Sequence, residues 1–203
     1  VKLFVESASL EAVEDALDIG AVDGVVLGAS ASAQGKSALA ALAAAFFDLA
    51  IGPVVVDLRV RDVDAALARA RELAAMGDEI AVRLPASRDG LTVCRACFDE
   101  GIATWVGPCA SVAQALLAAK AGATWIGVDV SAVEAAGGDG IKLSEDVATL
   151  LDECDFEAQL LVEGLRHARQ VGELALSGVH SAALSPELLW ALMSPPDQGR
   201  KRR

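Results

Sequence analysis

Residues 79–85 read EIAVRLP, an alternation of large apolar side chains with Ala81 and Arg83 that a proline closes. A period of two marks a strand. Ile80, Val82 and Leu84 share one face, so Ala81 and Arg83 share the other. A guanidinium buried without a partner costs several kcal/mol, so the face carrying Arg83 must supply one.

The same kind of run recurs along the chain. Strands are expected over 1–6, 24–28, 53–59, 79–85, 103–107, 124–130, 157–164 and 180–185. Between them lie alanine-rich amphipathic stretches: SLEAVEDALDIG, SALAALAAAFFDLA, DVDAALARARELAAMG, SRDGLTVCRACFDEG, SVAQALLAAKAG, LSEDVATLLDEC and RQVGELALSG. Serine or aspartate often opens them and glycine often closes them, as helix capping favours. Eight β-then-α units within 203 residues, with no shift of composition between them, describe one α/β domain over 1–195. The units point to a closed (β/α)8 TIM barrel, with a doubly wound open sheet as the runner-up that periodicity alone does not separate from it. The basic stretch within 196–203, ending in GRKRR, reads as a disordered tail.

Composition narrows the function. The chain is 54% hydrophobic with a formal net charge of −12, which argues against nucleic acid or an anionic membrane as partner. No apolar run approaches the ~18 residues of a membrane span, and no charged-then-apolar leader precedes the first strand, so a soluble cytoplasmic protein is expected. Of the four cysteines, Cys94 and Cys97 form a CxxC inside a helical stretch rather than at a strand-to-helix turn. Cys94, Cys97, Cys109 and Cys154 are read as buried free thiols, in keeping with a reducing compartment.

The segments AQALLAAKAGATW (113–125), GGDGIKL (137–143), LLVEGLRHARQV (160–171), GPVVVDLRVRD (52–62) and EIAVRLP resemble the small transaldolases and fructose-6-phosphate aldolases, in the same order and spacing. The resemblance implies a (β/α)8 barrel that makes or breaks carbon–carbon bonds of ketose phosphates through a lysine Schiff base. That lysine belongs to a VK(I/V)P pattern on strand four, where this chain has VRLP and hence Arg83. An arginine keeps its proton and forms no imine. By the same resemblance, Glu6 stands for an aspartate, Gly28, Ala29 and Ser30 for an asparagine, a proline and a retained serine, and Asp57 for a glutamine or glutamate. Gly107 stands for a threonine, Asp129 for an aromatic, Ala132 for a phosphate-binding arginine and Gly164 for a serine, while Arg166 keeps a basic position. By the resemblance, a final helix that crosses onto a neighbouring subunit would follow LLWALMSPP, and it is expected to be missing. A homo-oligomer is expected, though not necessarily the family decamer.

Strand parity within a barrel gives the site independently. The inward layer nearest the C-terminal strand ends reads Glu6, Gly28, Asp57, Arg83, Gly107, Asp129, Glu163 and Ser185, with Arg59 one layer higher. Barrel enzymes place their chemistry on this rim. Arg83 thus faces acids from four other strands, and Gly28 and Gly107 suggest a retained cavity. Arg83, Glu6, Asp57, Asp129 and Glu163 are the candidate catalytic groups; Gly28, Ser30, Arg59, Gly107, Arg166 and Ser185 are the candidate substrate contacts. The excess of acid over base fits retained protons, an amine-bearing ligand, or Mg²⁺ or Mn²⁺ held by Glu6, Asp57, Asp129 and Glu163.

Weaker signals read as structure. SASAQGKS (30–37) lacks the first glycine of a phosphate loop, so it is an ordinary loop with Lys36 at a helix start. His167 opens a helix, and Trp105 and Trp125 fill the barrel floor. Three functions remain open from the sequence: a diverged enzyme that binds a small polar or phosphorylated metabolite at the barrel mouth and works without an imine as a metal-assisted lyase or isomerase; a non-catalytic pseudoenzyme acting as a binding or scaffold subunit; and residual transaldolase or fructose-6-phosphate aldolase activity through another residue.

Overall fold

The computed structural model describes residues 1–27, 41–46, 49, 52–58 and 60–194. Its strands are β1 (Lys2–Glu6), β2 (Gly24–Leu27), β3 (Val54–Asp57), β4 (Ile80–Leu84), β5 (Thr104–Val106), β6 (Trp125–Asp129), β7 (Gln159–Glu163) and β8 (Ser181–Leu184). Each expected run contains one of them. All neighbours pair in parallel, and β8 returns to β1 with Leu3 opposite Ala182 and Val5 opposite Leu184, which closes the barrel. An open sheet is thereby ruled out, since it would leave two strands as unpaired edges and every strand here has two neighbours.

The helices are α1 (Leu10–Asp18), α2 (Val63–Ala74), α3 (Arg88–Asp99), α4 (Val112–Lys120), α5 (Val130–Ala135), α6 (Gly140–Glu153), α7 (Ala168–Leu176) and α8 (Pro186–Met193), and residues 41–46 are helical as well. Short polar side chains start most of them. Ser9, Asp62, Ser87, Ser111 and Asp139 each accept a backbone N–H from the first turn of the helix that follows. The sequence reading missed α5, which follows β6 with no intervening loop, and α8. Among the described residues no helix is long and apolar enough to cross a membrane.

Strand alternation divides the core into two shells. Outward residues such as Val5, Val54, Val56, Ile80, Val82, Leu84, Ile126 and Leu160 pack against the helices. Inward residues Phe4, Val26, Val55, Ala81, Trp105, Trp125, Leu161 and Ala183 fill the lower barrel. The parity read from EIAVRLP is the parity observed, and both tryptophans lie in the floor. The indole N–H of each is buried without an acceptor among the described residues, so packing rather than hydrogen bonding holds that floor.

The cysteines are free, and Cys94, Cys97 and Cys109 are buried, with burial pushing Cys97 up to about 11 and Cys109 up to about 12. Cys154 departs from the expectation of four buried thiols. It is the residue that closes α6, beyond the last helical turn facing the sheet, and it is exposed.

Candidate active site

Arg83 and Glu163 end β4 and β7 on the inward face, and the barrel brings them together across its interior. Arg83 Nη2 donates to Glu163 Oε1 at 2.5 Å. The Arg83 side chain is 16% exposed and Glu163 is 4% exposed, so water screens the pair weakly. Beneath them lies the indole of Trp105, with the guanidinium carbon 4.0 Å from the ring centroid, a cation–π arrangement. The pair therefore rests on an aromatic plate.

That plate needs room, and glycine supplies it. A Cβ on Gly127 of β6 would overlap Trp105 Cζ2, and one on Gly107 would lie 2.8 Å from Gly127 Cα and 3.0 Å from Trp105 Cη2. Gly107 thus has a packing role beside its place in the lining of the cavity described below. The missing side chain seats the indole and lets adjacent backbones approach closely.

Burial and like charge act on the acids. Desolvation is the largest influence on Glu163; the fields of Glu6 and Asp129 add to it, Arg83 opposes it, and the net effect is a carboxyl pushed up to about 7. Glu6 is raised too, first by burial and then by Asp129, again against Arg83. A folded chain that keeps the Glu163 proton up to about 7, where an unfolded one releases it near the ordinary 4.5, loses stability as pH rises through that window. The thermal midpoint is expected to be higher at about pH 5 than at about pH 8, and Glu163→Gln to flatten that slope.

Asp129, the last residue of β6, also has a local hydrogen-bonding role. Its Oδ1 accepts Ala132 N–H at 2.9 Å and Ser131 Oγ–H at 2.8 Å, capping α5. A Cβ on Gly164, at φ +73°, would fall on the same oxygen, so this glycine and the cap are fitted to each other. Asp57 stands opposite Arg83 in the β3–β4 register without forming an ion pair with it. Among the described residues no three acidic, histidine or cysteine side chains gather as metal ligands, so the expected Mg²⁺ or Mn²⁺ set of Glu6, Asp57, Asp129 and Glu163 is not assembled as one.

A cavity of about 450 Å³ opens over β3, β4 and β5, lined by Asp57, Leu58, Val60, Arg61, Arg83, Leu84, Pro85, Gly107 and Pro108. Of the expected substrate contacts, Gly107 lines it. Ser185 instead caps α8, its Oγ accepting Leu188 N–H at 3.2 Å. Arg166 is exposed past β7 and does not line the cavity, and His167, also exposed, opens α7. Gly28, Ser30, Arg59 and Lys36, with the loop 30–37 and the tail 196–203, lie outside the described residues. The lysines among the described residues, Lys2, Lys120 and Lys142, are all exposed, and none lines the cavity. Arg61 was missed because it follows the end of β3, where strand parity no longer applies. The available signal was its place beside the helix-capping Asp62.

The profile of the family described as "Transaldolase/Fructose-6-phosphate aldolase" matches residues 7–202. Proteins named "Probable transaldolase" from Bartonella bacilliformis and Phenylobacterium zucineum are each 33% identical over 196 residues, covering 97% of this chain and 90% of the relative. One of the same name from Caulobacter vibrioides is 31% identical over the same 97% and 90%. With the closed parallel barrel and the charged rim at its C-terminal end, these matches establish the lineage: the chain belongs to the transaldolase/fructose-6-phosphate aldolase family.

Proposed function

We propose that the barrel mouth binds a small phosphorylated or carboxylated polyhydroxy metabolite and moves a proton next to its carbonyl, without an imine. The observation that carries this reading is the Arg83–Glu163 pair at the mouth, with Arg83 opening into the cavity and burial pushing the Glu163 carboxyl up to about 7. A carboxyl of that strength is matched to taking and returning protons near neutrality. The guanidinium can stabilise the oxyanion of an enolate as it forms. The relatives are named probable transaldolases, which supports a sugar-phosphate-sized ligand and a place in cytoplasmic carbohydrate metabolism. The resemblance puts Arg83 where the family's lysine would be, and an arginine offers no free amine for carbinolamine formation.

Because Asp129 caps a helix and Glu163 pairs with Arg83, the reading gives charge stabilisation to Arg83 rather than to Mg²⁺ or Mn²⁺. The mutual neutralisation of Arg83 and Glu163 also favours a second reading, a subunit that binds the metabolite without turning it over. Homo-oligomer formation is part of the proposal, supported by the apolar surface of the last two helices, where Leu176 is 92% exposed and Met193 56% exposed.

The test is deuterium exchange from solvent into fructose 6-phosphate, followed by NMR with and without added Mg²⁺ or Mn²⁺. Exchange next to the carbonyl is expected, slowed by about 100-fold in Glu163→Gln. Borohydride added with the ketose phosphate should leave the protein mass unchanged, and an adduct on any lysine would overturn the imine-free chemistry. Binding without exchange would replace it with the second reading.

A further inference from the structure

The charges of the mouth are divided by sector. Glu6 on β1, Asp129 on β6 and Glu163 on β7 put three carboxyl groups on one side of the barrel, where the field of Asp129 raises the proton affinity of Glu6 and the fields of Glu6 and Asp129 raise that of Glu163, which makes this side hostile to an anion. There the Asp129 carboxylate also packs over Gly164, filling the space a side chain at that position would take. The opposite sector, over β3 to β5, holds the cavity and two arginines.

These arginines differ in what already occupies them. Arg83 is engaged with Glu163 and stacked on Trp105. Arg61 lies between β3 and α2, exposed at the cavity edge, with no hydrogen bond or ion pair to any described residue. Its neighbour Asp62 is turned away to cap α2, with Oδ1 accepting Ala65 N–H at 2.8 Å. A planar guanidinium beside a cavity, without a carboxylate partner among the described residues, is suited to a bidentate oxyanion.

We propose that Arg61 is the specificity-determining contact of this mouth and binds the terminal phosphate or carboxylate of the ligand, whose hydroxyl-bearing end reaches Asp57 and Arg83. This rests on the reading of the mouth as a metabolite site. Asp57 accepts hydroxyl hydrogen bonds, and the acids of β1, β6 and β7 exclude the reversed orientation. The anionic end is thus held over β3.

Calorimetric titration with fructose 6-phosphate, gluconate and neutral fructose tests it on wild type, Arg61→Ala and Arg61→Lys. Arg61→Ala is expected to weaken the anionic ligands by about tenfold or more while leaving fructose unchanged, with Arg61→Lys in between. The melting curve of Arg61→Ala should match wild type, since Arg61 is exposed and supports no described contact. Whether the phosphate or the carboxylate binds wild type more tightly identifies the anionic group. Equal affinity of wild type and Arg61→Ala for the anions overturns the Arg61 assignment alone. A wild type that binds none of the three overturns the metabolite reading, and this inference with it.

Discussion

Arg83→Met is expected to destabilise the barrel by about 3 kcal/mol at about pH 8, and by much less at about pH 5. The variant leaves Glu163 buried with its one ion-pair partner among the described residues removed. Breaking a buried pair from one side costs about 3–5 kcal/mol, and the lower end applies because this carboxyl can relieve its charge by taking up a proton. Near pH 5 Glu163 already carries that proton, so little electrostatic support is lost. What then remains is the packing of the alkyl stem over Trp105, which methionine largely replaces. Urea unfolding at the two pH values measures the difference, and equal losses at both would refute the account. Replacing the pair outright, in Arg83→Met with Glu163→Leu, should recover much of the stability at about pH 8, since an apolar pair needs no desolvation.

Gly127→Ala should cost about 3 kcal/mol, a large effect for one methyl group. The new Cβ meets the six-membered ring of Trp105, which is 1% exposed and is hemmed in by Gly107 and by Arg83 above it. The ring cannot tilt without disturbing the ion pair it supports. A smaller ring should relieve the clash, so Trp105→Phe is expected to cost less in the Gly127→Ala background than in wild type. Additive losses in that double-mutant cycle would show that the methyl is accommodated elsewhere.

The sequence was most informative where the backbone repeats. Alternation in EIAVRLP and its counterparts located each strand and sent Phe4, Val55, Ala81 and Trp125 inward, because a strand has only two faces and the helices take the apolar one. The same count placed Arg83 and Glu163 toward one another, although they are 80 residues apart in the chain. It could not foresee that Asp129 turns back to cap α5, since a strand that passes straight into a helix makes one residue both the last inward position and the first cap. The packing role of Gly107, which also lines the cavity, was hidden for a related reason. Parity gives a direction but not the size of a neighbour, and Trp105 on the same strand occupies the volume that the glycine leaves. Arg61 escaped because loop residues obey no period.

The thiols carry a practical consequence. Cys94, Cys97 and Cys109 are sealed in the barrel wall, whereas Cys154 follows the end of α6, just before the chain turns into the start of β7. That places a single addressable sulfhydryl at the pole opposite the rim. A maleimide dye or a surface tether attached there leaves the mouth unobstructed, so ligand capture can be followed on oriented, immobilised protein without recruiting any charged residue of the site.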